Sequence, residues 1–156
     1  TTMMCVLPIH HVNGIVVTHI TPLIHGSCIV LNRKFSSEHF FSRIEAEHVS
    51  IVSVVPTLLS YLLQYYKNLE CIVPASLSHI ICGAGPLTCE LVHNFESRFK
   101  VRVIHGYGLS ETTCYSCFLP LNLPSSTHHA ILTDHGFPSI GVSLPCNEMQ
   151  IGRAHV

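Results

Sequence analysis

The sequence predicts an α/β fold, a mostly parallel sheet flanked by helices. Two observations predict it. Short β-branched apolar runs alternate with stretches of helical period, and proline or small-residue turns mark the switches at Pro8, Gly26, Pro56 and residues 83–86. Residues 3–7 predict the first strand, which Pro8 closes because it has no N–H to give a ladder. Residues 12–23 are mostly apolar and predict a helix, weakened towards its end by Thr18, Thr21 and Pro22. After Gly26, residues 28–31 predict the second strand. A serine at 36 or 37 is placed to cap the next helix, whose Phe40, Phe41, Ile44 and Val49 recur at helical spacing.

Residues 49–55 predict a buried strand. Pro56 then opens a helix, since its fixed φ suits a first turn; Leu58, Leu59, Leu62 and Leu63 give that helix an apolar face, which Tyr65 and Tyr66 complete. Residues 79–82 predict another strand, followed by a glycine-rich turn and a helix over 88–99 with Leu91, Val92 and Phe95 inward. Residues 101–105 return to the sheet. From Leu119 to Phe137 the pattern dissolves into Pro, Ser, Thr and His, which predicts a long surface loop.

A chain of 156 residues can bury one core. Charged residues are 11%, against roughly 25% in an average soluble domain. The polar exterior is undersized, as in a segment whose apolar faces pack on parts of a larger protein. A net charge of −1 offers no field to attract nucleic acid or anionic lipid. No apolar stretch reaches the roughly 20 residues of a transmembrane span, and no basic-then-apolar leader opens the chain. A cytoplasmic protein is expected, with a targeting signal upstream of Thr1 left open. Only Cys114 and Cys117 among the eight cysteines share a C-x-x-C spacing. On a strand, residues three apart point to opposite faces, so reduced structural thiols are expected. The 13 histidines include the adjacent pairs His10–His11 and His128–His129 but no H-x-x-x-H spacing, and zinc is not predicted.

Two constellations carry chemistry. Residues 80–87, Ile-Ile-Cys-Gly-Ala-Gly-Pro-Leu, run from a strand into a small-residue turn where backbone can approach a flat or phosphorylated ligand. Residues 105–113, His-Gly-Tyr-Gly-Leu-Ser-Glu-Thr-Thr, follow a strand at its carboxyl end, where ligands of open α/β sheets bind. Within five positions they offer an aromatic face, a hydroxyl and a carboxylate. Those are the needs of an ATP–magnesium complex, for which one carboxylate plus phosphates suffices.

Gly-Tyr-Gly-Leu-Ser-Glu-Thr-Thr closely resembles the hallmark of the adenylate-forming superfamily, acyl-CoA synthetases included. Leu7-Pro8-Ile9-His10-His11-Val12-Asn13-Gly14 resembles its Pro-x-x-His-x-x-Gly segment, residues 54–57 its Val-Pro-Thr helix start, and residues 83–87 its adenine-contacting turn. Residues 140–145 resemble its later Gly-x-Pro-x-Pro region, with Ser143 in place of the first proline. The resemblance implies that residues 1–150 are part of the large N-terminal domain of such an enzyme, incomplete here. It implies that Tyr107 stacks on adenine, that Gly83, Ala84, Gly85 and Pro86 line the nucleotide, and that Ser110 meets the α-phosphate. Glu111 would hold Mg2+, and His11 and Gly106 would border the acyl pocket. The implied reaction is activation of a small-molecule carboxylic acid by ATP as acyl-AMP, then transfer to coenzyme A. A phosphate loop with its lysine, a ribose-binding aspartate, a hinge and a small C-terminal domain with a catalytic lysine are expected in the remainder of the polypeptide. The chain alone is expected to be inactive.

Two other readings compete. A Rossmann-type NAD-dependent oxidoreductase would use Gly83-Ala84-Gly85, yet an acidic residue about 20 positions on is lacking, Glu96 coming too early and Glu111 too late. A non-catalytic remnant is the other. Residues 151–156 match one reading frame of a sequencing adapter, so the natural sequence is expected to stop near Gln150.

Overall fold

A computed structural model of the chain describes residues 1–150 and Gly152. The expectation about residues 151–156 otherwise lies outside the described residues. The strands are β1 (Thr2–Cys5), β2 (Cys28–Leu31), β3 (Ile51–Val54), β4 (His79–Cys82), β5 (Arg102–Leu109), β6 (Cys114–Phe118) and β7 (Val142–Ser143). They form one sheet in the order β2-β1-β3-β4-β5-β6-β7. β1 to β5 pair in parallel, while β6 and β7 extend the sheet antiparallel. The mostly parallel α/β architecture is therefore as the sequence predicts.

The helices are α1 (Thr21–Ile24), α2 (Phe40–Ala46), α3 (Pro56–Tyr65), α4 (Cys89–Phe99) and α5 (Ser125–Thr133), with a wide π-type helix over Asn13–Ile20 leading directly into α1. Strand alternation assigns the two sheet faces. Val52 and Val54 join the main core with Phe40, Phe41, Ile44, Leu59 and Phe95, whereas Ser53 bonds Asn13 of the wide helix. α3 packs on α4 and α4 on α5, and the wide helix packs on β1, β3 and β6. Thr88 caps α4 by accepting from the Leu91 N–H at 3.2 Å. Arg98 of α4 donates to the carbonyls of Tyr66, at 3.2 Å, and Leu69, at 2.6 Å, satisfying acceptors left beyond the end of α3.

Four local readings differ from the sequence expectation. The serine cap of α2 acts one turn early: Ser36 Oγ accepts from the His39 N–H at 3.4 Å, and α2 itself has no side-chain cap. Only Tyr66 of the tyrosine pair is buried, its hydroxyl donating to the Ser37 carbonyl at 3.1 Å; Tyr65 stays exposed. β5 does not stop at His105. Its parallel pairing with β4 ends there, and Gly106 to Leu109 continue as a strand paired antiparallel with β6.

The predicted loop from Leu119 to Phe137 contains α5. Pro124 sets the entry to that helix, and its inward face consists of His128 and Leu132, four residues apart. Half of that face is a histidine, which hides the apolar period. His128 Nε2 lies 2.9 Å from Glu96 Oε1, which also accepts the Val103 N–H at 2.7 Å, so one carboxylate ties α4, β5 and α5 together.

Candidate functional site

Chain reversal at the carboxyl ends of four parallel strands opens a cleft of about 770 Å³. Leu7 and Pro8 follow β1, Val55 follows β3, and Ala84, Gly85 and Pro86 follow β4. The second half of β5 supplies Tyr107 and Gly108. Strand order reverses between β1 and β3, because β2 lies on one side of β1 and all later strands on the other. Such a switch point is where open α/β sheets bind ligands, since the diverging connections leave a crevice.

Ser110 and Glu111 stand in a short 3₁₀ turn, Ser110–Thr112, between β5 and β6. Thr112 pins it: its hydroxyl accepts from the Leu109 N–H at 3.1 Å and is itself bonded by Ser116 Oγ at 3.1 Å. The Ser110 hydroxyl and Glu111 carboxylate are exposed and line the cleft, and neither bonds a side chain among the described residues. They are free to meet a ligand. Backbone strain concentrates beside them, because Thr113 and Cys114 have φ of 58° and 91°, and across the cleft Ala84 has φ of 59°. Residues with a Cβ rarely adopt this left-handed region, and such strain gathers where a site needs a fixed backbone. Ala84→Gly is expected to stabilise the chain by about 1 kcal/mol, read as a higher urea midpoint.

Of the predicted site residues, His11, Ala84, Gly85, Pro86, Gly106, Tyr107, Ser110 and Glu111 line this one cleft. Tyr107 is 43% exposed, so its ring has an open face. Gly83 is buried behind the lining: a Cβ there would lie 2.4 Å from the Gly106 carbonyl oxygen and 2.6 Å from the Tyr115 ring. Glycine is required at that point by neighbouring protein, in addition to anything a ligand asks.

The structure adds residues to which the sequence assigned no role. Asn13 Nδ2 donates to Tyr115 Oη at 2.8 Å, and Ser53 Oγ donates to Asn13 Oδ1 at 2.8 Å, a buried network at the edge of the cleft. Burial pushes the Tyr115 phenol up, outweighing the lowering effect of the hydrogen bond from Asn13, so it stays protonated at neutral pH. His105 also lines the cleft, with Nδ1 at 2.9 Å from the Ser139 carbonyl oxygen. A carbonyl can only accept, so Nδ1 carries the proton and Nε2 is left as an acceptor.

Burial lowers the pKa of His105, opposed by that bond, and burial also lowers that of His79. A folded-state pKa below the ordinary 6.5 means that the unfolded chain binds more protons in the window between the two values. Stability is full above pH 6.5 and is lost as pH falls through that window towards the folded values. Urea midpoints are expected to drop between pH 7.5 and 5.5, and to drop less once both histidines are replaced by Gln.

A family model described as AMP-binding enzyme matches residues 1–154. The sulfoacetate–CoA ligase of Cupriavidus necator is 31% identical over 147 residues, 88% of this chain and 28% of that protein. The marinolic acid–CoA ligase of Pseudoalteromonas sp. is 32% identical over 152 residues, 91% of this chain and 21% of its own length. Among solved structures, o-succinylbenzoate coenzyme A synthetase from Bacillus subtilis, in complex with ATP and magnesium ion, superimposes with a TM-score of 0.78 at 25% identity. That match covers 98% of this chain and 29% of the other. The chain thus spans less than a third of the length of each of these proteins.

Proposed function

The chain belongs to the AMP-binding enzyme family, and from that premise we propose that the protein it represents joins a carboxylic acid to coenzyme A through an acyl-AMP intermediate. The observation that carries the proposal is convergence. Residues from the ends of β1, β4 and β5 and from the Ser110–Thr112 turn, far apart in sequence, meet at one cleft with the chemistry that a nucleotide requires. The relatives named above are acid–CoA ligases, which supports the same reading and leaves the oxidoreductase alternative without support.

In this reading Tyr107 offers its exposed ring to adenine, a contact worth about 1–3 kcal/mol. The turn at Ala84, Gly85 and Pro86 closes the other side. Ser110 donates to the α-phosphate. Glu111 fits a hard cation, because it is an exposed carboxylate in the cleft with no ion pair among the described residues; with phosphate oxygens it would hold Mg2+, which supplies charge neutralisation as negative charge gathers on the phosphates. His11 borders the path of the acid. The protein's part is to hold the carboxylate in line with the α-phosphorus and to fix donors around the developing charge. No protein nucleophile is needed, since the carboxylate attacks and pyrophosphate leaves. Coenzyme A then takes the acyl group and AMP departs.

Acid-dependent exchange of labelled pyrophosphate into ATP tests the first half-reaction. The complete enzyme is expected to show exchange with at least one acid. The chain by itself, at under a third of its relatives' length, is expected to stay at background. Exchange by the complete enzyme that does not depend on any acid would contradict the proposal.

A further inference from the structure

We propose that the acid accepted at this cleft is short, a few carbons long, because the Tyr115 side chain closes the space in which a longer acyl tail would lie. The inference rests on the acid-activating reading above and adds the substrate class. Ser53 on β3, Gly83 beyond β4, Gly106 on β5 and Asn13 on the wide helix frame the gap between the sheet and that helix. β6 sends the Tyr115 ring into this gap. A Cβ on Gly83 would lie 2.6 Å from Tyr115 Cε1 and 2.8 Å from its oxygen, and a Cβ on Gly106 would lie 2.8 Å from both Cδ1 and Cε1. The ring therefore occupies the volume that the two glycines leave open.

Tyr115 is 8% exposed yet borders the cleft, so the ring is a wall of the pocket with little of itself uncovered. It is also held in place. Asn13 Nδ2 bonds its hydroxyl at 2.8 Å, Ser53 fixes Asn13 at 2.8 Å, and the Phe118 ring lies against it at a centroid distance of 4.5 Å. Swinging the ring aside would leave a buried amide donor unpaired and open a gap in close-packed surroundings, both unfavourable. An acid entering past His11 and Val12 meets a fixed aromatic wall instead of a tunnel between sheet and helix. Its length is limited by size, and the polar groups of the wall are already engaged with one another.

The test is ATP–pyrophosphate exchange by the complete enzyme carrying this segment, measured as kcat/KM over the straight-chain acids from acetate to laurate, with benzoate and cinnamate beside them. The wild type is expected to peak among the shortest acids and to lose about tenfold or more by octanoate. Tyr115→Ala is expected to move the peak to longer acids. Tyr115→Phe keeps the ring and is expected to keep the short-acid peak, separating size from hydroxyl chemistry. A wild-type peak at octanoate, a longer acid or an aromatic acid overturns the inference while leaving the acid-activating reading intact. So does a Tyr115→Ala enzyme that folds and keeps the wild-type profile; should that variant not fold, the wild-type profile decides. Absence of exchange with every acid overturns the acid-activating reading, and this inference with it.

Discussion

Glu111→Gln is expected to lower pyrophosphate exchange by the complete enzyme on the order of 10²–10³-fold while leaving the urea midpoint of the chain unchanged. The stability half follows from the structure, since Glu111 is exposed and makes no ion pair among the described residues, so its charge supports no folded contact. The activity half follows from the proposed role. Gln retains the shape and one oxygen but loses the negative charge that a divalent cation needs, and losing one preorganised electrostatic partner of a transition state has an effect of this size. The magnesium concentration giving half-maximal rate is expected to rise in the same variant. A purely structural role for Glu111 would instead shift the midpoint and leave the magnesium dependence alone.

Gly108→Ala is expected to cost about 3 kcal/mol or more, enough to leave little folded protein. A Cβ at this position would lie 1.6 Å from the Cys114 carbonyl oxygen and 2.5 Å from its carbon. Those are backbone atoms of the partner strand, so no rotamer change relieves the clash. Relief requires β5 and β6 to separate where the pairing already shifts register, between Tyr107 and Gly108. Gly85→Ala makes a contrasting control, because its nearest neighbour would be Pro56 Cδ at 3.3 Å, a contact relieved by a movement of a few tenths of an ångström. Urea unfolding is expected to show a change of a few tenths of a kcal/mol for the latter and a large loss for the former. The same approach of β6 to Gly108 fixes the turn that presents Ser110 and Glu111, which links the fold of the hairpin to the site.

Much of this was legible from local sequence. β2 and β4 span the residues that their apolar runs predict, and Pro56 opens α3 because fixed φ and a missing N–H suit a first turn wherever it occurs. The motif residues Tyr107, Ser110 and Glu111 could be singled out because an aromatic face, a hydroxyl and a carboxylate in a short glycine-bracketed stretch are chemically conspicuous, whereas His11 was picked out only by the resemblance of residues 7–14 to a family segment. What escaped was set by distant contacts. α5 is hidden because its buried face relies on His128, whose partner Glu96 lies 32 residues earlier. The extension of β5 depends on pairing with β6, which gives two glycines of low strand propensity a ladder partner. The Asn13–Tyr115 bond joins residues 102 positions apart, and no pattern along the chain announces it.

The Tyr107 ring and the turn at Ala84, Gly85 and Pro86 are expected to clasp one nucleotide, with Ser110 and Glu111 on its phosphate side. A crystal structure of the complete enzyme with AMP tests this directly. The adenine is predicted to lie against the Tyr107 ring and the Ala84–Gly85 backbone, with the phosphate within hydrogen-bonding reach of Ser110. AMP bound outside this cleft, or in it with Tyr107 turned away from the base, would contradict the account.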